Sequence, residues 1–194
     1  MIHGPHQTFI APIQVKAAVM IPVFILLWLW LVLRNLRKNQ LSWPRQGVNA
    51  LLLTYLNLLL SVTVFPFLIF PLGSPIHQLD FGKQTLLTEL NPLAFLGYQV
   101  SQNLGNLIML APLTFLAPLL VARFQRFWQS LALGLLTSLS IECTQLLMNY
   151  FYLGNRVFDL SDLLLNTSGS LLGWLLFKLV QRWWPQLLRR LQVA

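Results

Sequence analysis

The sequence predicts an all-α, polytopic membrane helix bundle with five transmembrane helices, its N-terminus outside and its C-terminus inside. Three observations predict it. Charge is scarce: 13 Lys and Arg plus 5 Asp and Glu make 9% of 194 residues, while 56% are hydrophobic. A soluble domain carries roughly 25% charge to keep its surface in water. Apolar stretches close to the ~20 residues that a spanning helix needs recur five times. The basic residues also divide unequally among the loops between those stretches. A mean hydropathy of +0.65 excludes a disordered chain. One membrane domain, 1–194, accounts for the whole sequence.

The first span covers 17–33 and is followed by Arg34, Arg37, Lys38 and Arg45. A cleaved signal peptide places positive charge before its apolar run, so this segment reads as a retained span. The second span covers 48–70 and ends in Phe65-Pro66-Phe67 and Pro71-Leu72-Gly73. The stretch 72–102 carries Asp80, Lys83 and Glu89 and reads as a solvated outer loop. The third span covers 103–122, where Pro112 and Pro118 invite a kink by removing backbone donors. The fourth covers 128–150 and the fifth 162–180.

With five spans, Arg34, Arg37, Lys38, Arg45, Arg123, Arg126, Lys178, Arg182, Arg189 and Arg190 share one side of the membrane. Lys16, Lys83 and Arg156 share the other. Basic residues mark the inside, which puts the 72–102 and 151–161 loops outside. The formal charge of +8 thus reports topology and anionic headgroups, and no nucleic-acid partner is expected. The tail from Arg182-Trp183-Trp184 to Arg189-Arg190 reads as an interfacial anchor. The single Cys143 excludes an internal disulfide and a Cys-based zinc cluster, and His3, His6 and His77 all lie in hydrophilic stretches. No cofactor is expected.

Polar residues inside the spans fall on faces. Ser138, Glu142, Gln145 and Asn149 recur at i, i+4, i+7 and i+11, one narrow helical face that also holds Gly134. An ionised Glu facing lipid costs several kcal/mol, so this face meets protein or water. Glu142 lies about 12 Å from the outer helix end, in the outer half of the membrane. Asp159, Asp162, Asn166, Ser170 and Gly173 form a matching stripe on the fifth span. Its two acids suit the positive end of that helix, and one serves as a cap. Gly169 and Gly173 make a small-residue pair for close helix packing. Asn103 and Asn106 open the third span at the same depth, and Thr54, Asn57 and Ser61 of the second lie deeper. Together these residues predict an outward-facing polar site of Glu142, Gln145, Asn149, Arg156, Asp159, Asp162 and Asn166, with Asn103 and Asn106 opposite. Arg156 is placed to pair with Asp159 or to offer a fork to a phosphate or carboxylate.

Two readings of the stripes stay open. Glu142 and Gln145 make either an interhelical clasp or a ligand or proton site. Asp159 and Asp162 either cap the helix and pair with Arg156 or, as a minor alternative, hold a divalent cation.

Asn103-Leu104-Gly105-Asn106 with Leu110-Ala111-Pro112 resembles an N-x-x-x-F-x-P-x-G run. The segment from Ser140 through Glu142 to Gln145 resembles a run of Ser, Glu and Gln. Arg156 to Gly173 resembles R-x-F-D-x-x-D-x-x-x-N-x-x-G-x-x-x-G, and Leu90-Asn91-Pro92-Leu93 resembles an upstream L-N-P-F. In this order and spacing the set is similar to the VanZ-like family of bacterial membrane proteins, with Leu93 in place of Phe and Thr114 in place of Gly. The resemblance covers a core of 88–180, which leaves 1–73 as a two-helix extension; Pro112, Gly169 and Gly173 are expected to serve helix packing. It implies a multi-pass protein of the bacterial cytoplasmic membrane. It also implies an association with reduced susceptibility to glycopeptide antibiotics, notably teicoplanin.

Three functions compete at this level. The first is binding or handling an amphiphile at the outer leaflet, a lipid-linked cell-wall intermediate or a lipoglycopeptide. The second is an intramembrane lipid-modifying enzyme, with Glu142 as acid or base and a cation on Asp159 and Asp162. The third is a small proton-coupled lipid transporter, with a homo-oligomer supplying the missing half. No Ser-His or Cys-His arrangement exists, which weighs against catalysis.

Overall fold

A computed structural model describes residues 1–186 and 188. Arg189 and Arg190, half of the expected interfacial anchor, lie outside the described residues. Five helices are long and apolar enough to cross a membrane: Ala17–Arg37, Trp43–Thr63, Val100–Leu120, Phe127–Tyr150 and Leu160–Trp183.

Local chemistry explains where each begins and ends. Helix α1 (Ile21–Arg37) follows one 3-10 turn, starts with a proline in its first turn and ends on Arg34 and Arg37. Cations there complement the negative end of the helix. Asn39, at φ 52°, then turns the chain in the left-handed region that Asn tolerates. Helix α2 (Trp43–Thr63) stops seven residues earlier than the apolar run allows. Pro66 cannot continue a helix, and 67–69 instead forms a strand, β4 (Phe67–Ile69), paired antiparallel with β3 (Ile13–Val15).

The third span is two helices, α3 (Val100–Met109) and α4 (Ala111–Leu120), broken at Leu110. The break falls just before Pro112, where the kink was expected. The Tyr55 hydroxyl donates to the Met109 carbonyl over 2.8 Å and satisfies part of the loosened backbone. Helix α5 (Phe127–Tyr150) and helix α6 (Leu160–Trp183) are unbroken.

Helix α6 is the central post, packed against α3, α4 and α5. Its glycines make that possible. A Cβ on Gly169 would collide with the Leu107 carbonyl oxygen, and one on Gly173 with the Ala111 carbonyl oxygen and the Thr114 hydroxyl. Thr114 then donates to the Ser170 carbonyl at 2.7 Å. On the facing side, Gly134 of α5 lies against Ser170, and Asn166 donates to the Ser138 hydroxyl at 3.2 Å. The two polar stripes therefore do meet. Helix α2 packs along α4 and diverges from α3, and α1 packs on α2 with none of its own residues buried.

The chain segments 1–16, 64–99 and 151–159 gather at one end of the bundle, by the connectivity of the helices. They form a small cap with its own core of Ile2, Phe9, Ala11, Leu68, Ile76 and Tyr152. The hairpin of β1 (Ile2–His3) and β2 (Thr8–Phe9) belongs to it. So does the short parallel pair of β5 (Thr88–Glu89) and β6 (Phe158–Asp159). The stretch 72–102 is thus a folded lid over the bundle end rather than a plain solvated loop.

Candidate functional site

The site is built on the N-terminus of α6. Asp159 caps that helix: its Oδ1 accepts from the Ser161 amide at 2.8 Å, the Ser161 hydroxyl at 2.7 Å and the Asp162 amide at 3.4 Å. Its Oδ2 accepts from the Tyr98 hydroxyl at 2.6 Å. That bond to a carboxylate, with burial adding to it, pushes the Tyr98 phenol up to about 12. The Asp159 amide in turn donates to Glu142 Oε2 at 2.9 Å. One acid of α5 is thereby tied to the capping residue of α6 through the backbone. Asp162, one turn into α6, accepts from the side-chain Nδ2 of Asn106 of α3.

These groups line a cavity of about 1130 Å³ at the capped end of the bundle. Its floor and one wall are Glu142, Gln145, Asp159, Asp162 and Asn166, with Asn106 of α3 opposite and Arg156 from the loop before β6. Its other walls are apolar: Leu58, Leu59 and Val62 of α2, Ile108 and Met109 of α3, and Ile141 of α5. Leu58, Val62 and Ile108 are each more than half exposed although they belong to spanning helices. With these lining residues exposed and α2 not packed on α3, the cavity opens sideways between the two helices.

Seven of the nine residues singled out from the sequence come together here. Asn149 and Asn103 do not line the cavity. Asn149 is buried, donates to the Leu86 carbonyl at 2.9 Å and accepts on its own carbonyl from Gln84, so it fastens the lid. Asn103 donates to the Phe95 carbonyl at 2.8 Å and holds the turn that leads into α3. Arg156 donates to the Val62 carbonyl at 2.9 Å instead of pairing with Asp159, whose oxygens are taken by Tyr98 and Ser161. Gln145 likewise donates to a carbonyl of α2, that of Thr63, at 2.8 Å. Among the described residues no three of His, Cys, Asp and Glu come together as metal ligands.

Sequence reasoning missed Tyr55, Glu89, Tyr98 and Gln102, all on the cavity wall. Glu89 is the sharpest correction. It is half-buried, sits in register with Asp159 through the β5–β6 pair, and is no solvated loop charge. Its Oε1 accepts from the Asn91 amide at 2.9 Å. A signal for one of the others existed: Gln102 lies four residues before Asn106, on one face of a helix begun just before the span was taken to start.

The model of the VanZ/LLP1 family matches residues 21–181, which takes in the first two spans as well as the motif-bearing stretch. No curated protein gives a match, and no solved structure does. The motifs that build this cavity and the long match agree: the chain belongs to the VanZ/LLP1 family and is a multi-pass membrane protein of that family.

Proposed function

We propose that this protein binds or handles an amphiphile at the outer leaflet of the bacterial cytoplasmic membrane. The observation that carries the reading is the two-sided cavity, a polar and acidic floor under apolar walls that part toward lipid. A head group enters such a site by exchanging water for the side chains of Glu142, Asp162 and Asn166, while its chain stays among apolar residues between α2 and α3. A lipid-linked cell-wall intermediate and a lipoglycopeptide antibiotic both have this build. The second of these connects the site to the glycopeptide resistance that the family resemblance implies. The unequal division of basic residues supports placing the capped end outside.

Lipid analysis of the purified protein tests this. Gly105 lines the cavity and has open space about its Cβ position, so Gly105→Trp fills the site without disturbing a packed contact. The parent protein is expected to retain a bound amphiphile through detergent exchange, and Gly105→Trp to lose it. Equal lipid retention by the two folded proteins would sink the proposal.

A further inference from the structure

We propose that the head group this cavity accepts carries a protonated amine. This rests on the reading of the cavity as an amphiphile site and narrows it. Four of the five acids in the chain line the cavity, Glu89, Glu142, Asp159 and Asp162, against the single cation Arg156.

The hydrogen-bond inventory has the same sign as the charge. Four of the donor side chains on the cavity wall already give a hydrogen to the protein, and among the described residues Gln102 and Asn155 do not. Tyr98 donates to Asp159, Asn106 to Asp162, Gln145 to the Thr63 carbonyl and Arg156 to the Val62 carbonyl. Acceptors are left over. Glu142 uses Oε2 on the Asp159 amide and Asp162 uses Oδ1 on Asn106, which leaves one oxygen of each for a guest. Asn166 is fully buried and its Oδ1 has no partner at all. A buried acceptor without a donor carries a desolvation penalty, so a guest that brings donors is favoured. An alkylammonium brings three N–H donors and a positive charge in one compact group.

The alternatives fit less well. A phosphate or diphosphate head is all acceptor. It brings no donor for the free oxygens of Glu142, Asp162 and Asn166, and Arg156 is the one cation on the wall to meet it. A bare metal ion needs several ligands within about 2.0–2.6 Å of one point, and among the described residues no such group exists. An ammonium on a chain asks less, because its three hydrogens reach oxygens about 2.8 Å away in separate directions. The chain to which it is attached has an exit in the gap between α2 and α3.

The test uses the whole protein in neutral detergent, titrated with three lipids of identical acyl chains and read by native mass spectrometry. The lipids are phosphatidylethanolamine, its N-acetylated form and phosphatidylglycerol. Phosphatidylethanolamine is expected to bind about tenfold more tightly than either of the others, as a close buried charge pair allows. Glu142→Gln and Asp162→Asn are each expected to erase that preference. Equal binding of the amine and its acetylated form by the parent protein overturns the inference, and this arm needs no variant to fold. Preferential binding of phosphatidylglycerol that Gly105→Trp abolishes overturns the amine while leaving the amphiphile site intact. Absence of binding by all three lipids overturns both.

Discussion

Tyr98 and Asp159 are joined by a 2.6 Å hydrogen bond that connects the turn before the third span to the capping residue of the last helix. The phenol keeps its proton up to about 12, against an ordinary value of 10.0. The bond therefore stabilises the fold fully below pH 10 and its contribution is lost as pH rises through 12. Tyr98→Phe is expected to lower stability by about 1–2 kcal/mol at neutral pH. The same substitution should flatten the alkaline limb of the pH–stability curve, as read by thermal unfolding in detergent. An unchanged alkaline limb would contradict the bond.

Glu142 holds the Asp159 amide through an oxygen, and an amide oxygen can accept the same bond. Glu142→Gln is thus expected to unfold within about 1 kcal/mol of the parent, and Glu142→Ala to lose about 1–3 kcal/mol by orphaning a buried N–H. Unfolding midpoints of the two proteins in one detergent decide this; a loss as large in Gln as in Ala would mean that the charge itself is the structural element.

The approach of α6 to the third span depends on missing side chains. Gly169→Ala and Gly173→Ala each drive a methyl group into backbone carbonyl oxygens, and each is expected to cost about 1–3 kcal/mol or more. Gly47, in α2, has no atom within 4 Å of a Cβ position. Gly47→Ala should instead be neutral or stabilising by up to about 1 kcal/mol. Expression and melting temperature of the three variants give the ranking.

Orientation is open to direct chemistry. Leu72 is 99% exposed in the lid. In a Cys143→Ala background, Leu72→Cys is expected to react with a membrane-impermeant maleimide added to intact cells or spheroplasts, and Gln40→Cys only after the membrane is opened. The reverse pattern would place the capped end inside and remove the outer leaflet from the functional proposal.

Much of this was readable because helices repeat. The stripe Ser138, Glu142, Gln145 and the stripe Asp162, Asn166, Ser170 are periodic, and a charge inside an apolar span has few places to face. Asp159 was legible as a cap for the same reason that Asp is chosen for caps. What escaped reaches the site through irregular chain. Glu89 arrives on a two-residue strand, which leaves no pattern in a sequence, and Tyr98 on the extended residue after a 3-10 turn (94–97) whose Phe95 carbonyl accepts from Asn103. The overlong second span has a similar cause. Residues 64–70 are as apolar as a helix, but Pro66 ends α2 and pairing with Ile13–Val15 makes a strand of 67–69. Asn149 shows the limit of a helical face: it shares the stripe of Glu142, but its end of the helix lies under the lid.

The helix bundle is also an electric object. Among the described residues, three bases and all five acids lie toward the capped end, and eight bases belong to the opposite side of the spans by connectivity. In a membrane whose inner face is negative, each charge moved across the potential is worth about 2.3 kcal/mol per 100 mV. Such a molecule behaves as a dipole in a field. A potential negative inside would favour the orientation with the capped end outward during insertion, the one that the labelling experiment above tests.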